Sequence, residues 1–255
     1  MRVLVVLPTY NEAATIENIL DRVHKAVPDA SVLVVDDNSP DGTAKIVAEL
    51  GEKFGNVEVM SRPGKLGLGS AYRDGFRWGL ERGYEALVEM DSDFSHDPDA
   101  LPSLIAPLCQ GFEVCIGSRY VPGGSIPNWS LSRRLLSRGG NIYADILLGL
   151  HVHDSTAGFR AYAAPVLRRI DLDSVRAESY GFQIEMTYRS IGVGASVKEV
   201  PIRFVDRELG TSKMSTFTVV EALFLVTWWG AKRVVGRSWR GARTARGAAK
   251  APGSQ

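Results

Sequence analysis

Asp91 and Asp93 stand one residue apart in the stretch YEALVEMDSDFSHDP, and they are the residues in this chain best suited to chemistry. An apolar run leads into them, and a hydroxyl, an imidazole and a further acid follow at once. Two carboxylates on alternate residues of a turn reach one Mg2+ or Mn2+ directly or through water, and leave coordination positions open for substrate phosphates. A lone D-x-D is more often a solvated loop or a helix cap. Here it follows a buried strand and falls in line with two other polar strand ends, PTYNE and DDNSPDG. Acids converging from such ends repel by several kcal/mol at low dielectric unless a cation or hydrogen-bond donors offset them. In DDNSPDG, turn chemistry accounts for Asn38 to Gly42, with Ser39 or Asp41 as a cap, and leaves Asp36 and Asp37 over. A carboxylate at that strand end suits the N–H and hydroxyl donors of a base and ribose.

The elements that must position these groups alternate. RVLVVLPTY and ASVLVVDDNS read as short β-branched strands, and EAATIENILDRVHKAVP between them carries apolar residues at helical spacing. A helix from SPDGTAKIVAEL, a strand VEVMSR, a Gly-rich turn PGKLGLG, a helix SAYRDGFRWGLERG and the strand before Asp91 follow. This pattern predicts an α/β fold, a Rossmann-like, mostly parallel sheet with helices on both faces. Ligands bind such sheets outside the carboxyl ends of the strands. The Gly-rich turn is either a plain loop with a helix cap or a loop passing close to a nucleotide. It lacks the Walker A pattern, which disfavours kinase-type chemistry.

Composition sets the bounds. With 255 residues, 45% hydrophobic residues and a net charge of +1, the chain suffices for one large domain and carries no electrostatic footprint for nucleic acid. Cys109 and Cys115 have no metal-ligand partners in the sequence around them; they read as core residues of a protein in a reducing compartment. The opening MRVLVVLPTYNE turns polar too early for a signal peptide, and FTVVEALFLVTWWGA is shorter than the roughly 20 residues that span a bilayer.

The segments VVLPTYNEAATIENIL, VVDDNSPDGT, KLGLGSAYRDGF, MDSDFSHDP, GSRYVPGG, LLSRGGNIYADILLG, STAGFRAY, FQIEM and EVPIRFVDRELGTSKM together resemble the polyprenol-phosphate (dolichol-phosphate) mannosyltransferases, inverting family-2 glycosyltransferases with a GT-A fold. PTYNE and D-x-D alone would indicate only the broad superfamily; FVDRELGTSKM with LLSRGGN is more specific. The resemblance covers about Val3 to Met214 and implies a GT-A catalytic domain over 1–214. It implies that Pro8, Tyr10, Glu12, Val35 and Asp37 hold the guanosine of GDP-mannose. Asp91, Ser92, Asp93 and Ser95 would surround the diphosphate, with Asp91, Asp93 and Ser95 facing Mg2+ or Mn2+. Several relatives carry Gln where this chain has Ser95, a shorter hydroxyl that serves a metal through water. Arg119, Arg207 and Lys213 would approach the phosphates, and Arg119, Arg133 and Ser137 the acceptor phosphate; Asp93, Arg119 and Arg207 are the implied catalytic residues.

A polyprenyl phosphate oxygen is anionic at neutral pH, so its attack on an anomeric carbon needs no strong base. It does need charge stabilisation for the leaving diphosphate and cations to bring two phosphates together, a task suited to the planar fork of arginine. Beyond Met214, STFTVVEALFLVTWWGAKRVVGRSW fits a helix with Glu221, Lys232, Arg233 and Arg240 in one sector, and every charged residue after Glu221 is cationic. Residues 215–240 are therefore expected to form an amphipathic membrane-interface helix, or alternatively a core-packing or dimer helix, and 241–255 a basic disordered tail. The expected setting is the cytoplasmic face of the membrane, as a peripheral protein, with a separate anchoring protein as a further partner. Two other functions fit less of the sequence: sugar transfer from UDP-glucose to polyprenyl phosphate, and a non-catalytic nucleotide-sugar-binding subunit, against which DSD and the clustered cations argue.

Overall fold

A computed structural model describes residues 1–205 and 220–233. The strands are β1 (Val3–Thr9), β2 (Ser31–Asp36), β3 (Val57–Ser61), β4 (Ala86–Glu89), β5 (Val114–Ser118), β6 (Arg160–Ala163) and β7 (Val197–Pro201). The helices are α1 (Ile16–Ala26), α2 (Thr43–Phe54), α3 (Leu68–Glu81), α4 (Leu101–Cys109), α5 (Leu131–Leu148), α6 (Ala164–Arg169) and α7 (Ser179–Gly192). A further helix, α8, occupies 220–233.

All seven strands form one sheet in the order β3-β2-β1-β4-β6-β5-β7. Pairing is parallel throughout except at β6, which runs antiparallel to both neighbours. The expected mostly parallel α/β sheet is therefore present. Alternation along β1 sends Val3, Val5 and Leu7 into one core with α1, α2 and α4, and Leu4 and Val6 into the other with α3 and α7. Burial on both faces explains why these strands read as unbroken apolar runs. Helix α3 sits unusually close to the sheet: a Cβ at Gly79 would lie 2.7 Å from the side chains of Leu4 and Leu87.

One consequence of this topology governs the site. The carboxyl ends of the six parallel strands, and the amino end of β6, lie along one edge of the sheet. Tyr10, Asp37, Arg62, Asp91, Gly158 and Arg119 all sit on that crest. Of the two cysteines, Cys115 is buried, where burial pushes its thiol up to about 12, but Cys109 is exposed at the end of α4 and is not the core residue expected.

Candidate active site

At the β1–β2 end of the crest, polar side chains are joined to one another. Thr9 donates to Asp36 Oδ1 at 2.9 Å, and the same carboxylate accepts the Ser39 hydroxyl at 2.6 Å and the Ser39 amide at 2.9 Å. Asp36 thus locks the turn after β2, correcting the expectation that turn chemistry leaves it over. Asp37 is different. Its carboxylate accepts Arg62 Nε at 2.6 Å and the amides of Leu66 and Gly67 at 3.1 and 3.3 Å, which ties the strand end to the Gly-rich loop. Arg62, 5% exposed, also reaches Ser70, Asp74 and the carbonyl of Gly67. Its signal was a cation directly after β3, next to the glycines. Tyr10 carries the Lys65 ammonium 4.1 Å from its ring centre, and the Glu12 carboxylate accepts Thr15. Pro8 and Val35 pair in register across β1 and β2.

The DSD turn is braced from several sides. The Tyr72 hydroxyl donates to Asp91 Oδ1 at 3.1 Å, and the Asp91 amide donates to His96 Nδ1 at 3.1 Å. Burial first, and then the charge of Asp91, push Tyr72 well above its ordinary value, so it remains a donor. His96 is buried and stacked on Phe159, and burial lowers its pKa. Ser92 donates to the Pro8 carbonyl at 2.9 Å, and the Ser95 amide to Asp93 Oδ1 at 3.0 Å. Between Asp93 and Ser95, Phe94 adopts φ 61°, a conformation costly for a bulky side chain and typical of over-determined functional turns.

Do these residues fit a metal? Among the described residues no three His, Cys, Asp or Glu side chains converge as a ligand cluster. The protein offers Asp91 and Asp93 with the Ser95 hydroxyl nearby, an all-oxygen set incomplete by itself. That suits a hard cation such as Mg2+ or Mn2+, which takes few carboxylates and fills its other positions with phosphate oxygens and water.

The other end of the crest, after β5, is built around Arg119. Asp154 grips it at 2.7 Å through Nε and 2.6 Å through Nη2, and also accepts its backbone amide at 3.0 Å. Both side chains are buried. Burial opposes each charge, but each partner outweighs it, so Arg119 is held above its ordinary pKa and Asp154 below. Arg119 Nη2 also meets Thr156, which Asn141 contacts in turn. Ser130 caps α5, and one turn in, Arg133 lies with its guanidinium carbon 4.1 Å from the ring centre of buried Trp129. Ser137 accepts the Tyr120 hydroxyl at 2.7 Å. Arg119, Arg133 and Ser137 line one cavity of about 380 Å3 whose remaining wall is largely apolar, from Leu135, Leu136 and Tyr143 of α5, Ile184 of α7 and Leu223 and Val226 of α8. Asp154 and Trp129 had no signal in the sequence, since a carboxylate 35 residues from its arginine is paired only by the fold.

Helix α8 lies along α5, joined by Tyr143 and Thr227 at 2.7 Å, with Val226 and Gly230 turned inward. On its outer surface Val220, Leu223, Phe224 and Trp228 are exposed, Arg233 is half-buried against the Leu147 carbonyl, and Lys232 lies over the Trp228 ring. Leu131, Leu135, Leu136, Ile142 and Ile146 of α5 are likewise exposed, up to 73% at Ile146. No described helix is long and apolar enough to cross a membrane. Arg207 and Lys213 lie outside the described residues, as do 215–219 and everything beyond Arg233, including Arg240.

The pattern of glycosyl transferase family 2 matches residues 4–171, from β1 through the crest to α6. The chain belongs to that family. It is a glycosyltransferase, and the resemblance carried by its motifs extends over its length. An undecaprenyl-phosphate mannosyltransferase of Micrococcus luteus is 50% identical over 95% of this chain and 98% of the relative. A polyprenol monophosphomannose synthase of Mycolicibacterium smegmatis is 51% identical over 90% of this chain and 87% of the relative. Among solved structures, glucosyl-3-phosphoglycerate synthase of Mycobacterium tuberculosis, with Mn2+, UDP and glucosyl-3-phosphoglycerate, superposes with a TM-score of 0.63 at 22% identity, covering 88% of this chain and 78% of that one. A mannosyltransferase of Pyrobaculum calidifontis, solved with GDP-Man and Mn2+, gives 0.55 at 16% identity over 97% and 79%. These two likenesses speak for the GT-A fold alone.

Proposed function

We propose that this glycosyltransferase moves mannose from GDP-mannose to a polyprenyl monophosphate with inversion at the anomeric carbon. The observation that carries the reading is the cavity beside Arg119: it is lined by two guanidiniums and by an apolar wall whose Leu135, Leu136 and Leu223 also belong to the exposed apolar surfaces of α5 and α8. An amphiphile with a phosphate head and an isoprenoid tail has that polarity. The names of the relatives from Micrococcus luteus and Mycolicibacterium smegmatis support the sugar and the lipid class.

Asp37 and Tyr10 receive the nucleoside, with Pro8, Glu12 and Val35 around it. Ser92 fixes the DSD turn to β1 while Asp91 and Asp93 face the diphosphate. A bound Mg2+ or Mn2+ at Asp91, Asp93 and Ser95 would offset the charge that grows on the departing GDP. Arg119, kept cationic by Asp154, and Arg133, stacked on Trp129, bring the acceptor phosphate up to the crest; Ser137 adds a hydroxyl. A phosphate oxygen forms the new bond to the anomeric carbon as the bond to the GDP oxygen breaks, and the α-linked donor gives a β-linked product. No proton has to be removed, and none of the described residues needs to act as a base. Arg207 and Lys213 are further cations for the same phosphates.

The exposed apolar residues of α5 and α8 would rest on the cytoplasmic leaflet, where burying several large side chains contributes a few kcal/mol. Transfer of label from GDP-mannose into an organic-extractable, acid-labile lipid tests the reading; UDP-glucose as the preferred donor would refute its donor half.

A further inference from the structure

Gly139 and Gly140 are adjacent in the middle of α5, where glycine weakens a helix relative to alanine. Neither has a positive φ that would call for glycine. Neither is required by packing: a Cβ built on either meets no heavy atom of the described residues within 4 Å, whereas one on Gly75 or Gly79 of α3 would strike the sheet. Both line the cavity that also holds Arg119 and Arg133, and they follow Ser137 by less than one turn. Among the described residues nothing fills the room left by the two missing side chains, and it borders the cavity.

We propose that Gly139 and Gly140 set the girth of the acceptor chain just beyond its phosphate, so that a methyl-branched isoprenyl chain passes over bare backbone of α5. The inference rests on the polyprenyl phosphate reading of this cavity. Arg133 and Gly140 are seven residues apart, on the order of 10 Å along the helix, so the glycines face the first units of the chain when its phosphate is held at Arg133. A β-branched side chain at either position narrows that passage. A straight alkyl chain, slimmer by its missing methyl groups, still passes.

The test compares wild type, Gly140→Ala and Gly140→Val with two acceptors of equal main-chain length, a branched isoprenyl phosphate and a straight alkyl phosphate, using GDP-mannose and Mn2+. In Gly140→Val, KM for the isoprenyl phosphate should rise about tenfold more than KM for the alkyl phosphate, because the added methyls overpack only the branched chain. Gly140→Ala should show the same preference in smaller measure, with a thermal midpoint no lower than wild type. GDP binding should match wild type in both variants. Equal loss on both acceptors, as expected of a helix that needs glycine to bend, or no loss on either, overturns the inference while leaving the function standing. A wild-type chain that transfers to neither acceptor overturns both.

Discussion

At the donor end of the crest, from Tyr10 to Ser95, polar side chains mostly hold one another; at the acceptor end two guanidiniums border a cavity whose other walls are apolar. Asp36 ties β2 to Thr9 of β1, Arg62 ties the end of β3 to Asp37, and Tyr72 and His96 hold Asp91 from α3 and from its own turn. Arg119 is braced as firmly by Asp154, but Arg133 rests on the face of Trp129, and the apolar residues around the cavity continue to an exposed surface. The contrast matches the two proposed substrates. A nucleotide diphosphate is recognised by fixed polar geometry, which a rigid network preorganises. A long lipid needs a charged anchor for its head and an apolar path for its tail.

The largest effect should come from the donor end. Asp93→Ala removes a carboxylate proposed to face the diphosphate without emptying an apolar core, so transfer should fall about 10³-fold while circular dichroism stays unchanged. Near-normal turnover at saturating Mn2+ would mean that the two acids are structural.

The next test strikes the brace of the acceptor end. Asp154→Asn leaves Arg119 buried without its counter-charge and should cost about 3–5 kcal/mol of stability, read by denaturant unfolding. Asp154 has a folded pKa below its ordinary 3.8, so its contribution is complete above that value and is lost as pH falls through the lower folded value. The acid limb of the wild-type stability curve should therefore flatten in the variant. An unchanged acid limb would show that the pair does not govern it.

The acceptor end is probed by Arg133→Ala. It should raise KM for polyprenyl phosphate about 10²-fold and leave KM for GDP-mannose within a few-fold, since Arg133 lines the cavity proposed for the acceptor. Equal losses for both substrates would erase the division between the two ends. The smallest effect is expected at the surface: replacing Leu223, Phe224 and Trp228 together by Ser should weaken co-sedimentation with anionic vesicles about tenfold, with donor binding intact.

The same contrast explains what the sequence disclosed. The donor end was legible because its residues sit at the ends of β-branched runs, and parallel topology sends all such ends to one edge. That reasoning pointed to Asp37, Asp91 and Asp93, and it left Asp36 over because a turn-locking carboxylate and a binding one look alike in sequence. The acceptor end was less legible. Arg119 and Asp154 meet because β5 and β6 are neighbours, and Trp129 meets Arg133 through the turn into α5; neither pairing follows from local pattern. For α8, periodicity leaves a membrane-interface helix and a core or dimer helix both open, because pattern alone does not say that Val226 turns inward while Phe224 and Trp228 point outward. Cys109 reads as core for want of metal-ligand partners, a reason that carries no information about burial.

The account's central claim is that one crest brings a mannose donor and a polyprenyl phosphate together. The most direct test gives the purified full-length chain GDP-mannose labelled in the sugar, Mn2+ and a polyprenyl phosphate in detergent, and follows both products. The account predicts that label enters the organic phase in step with GDP release, as a β-linked mannosyl phosphate, and that omitting the lipid abolishes both. Label that stays in the aqueous phase while GDP is released, or an α-linked product, would contradict it.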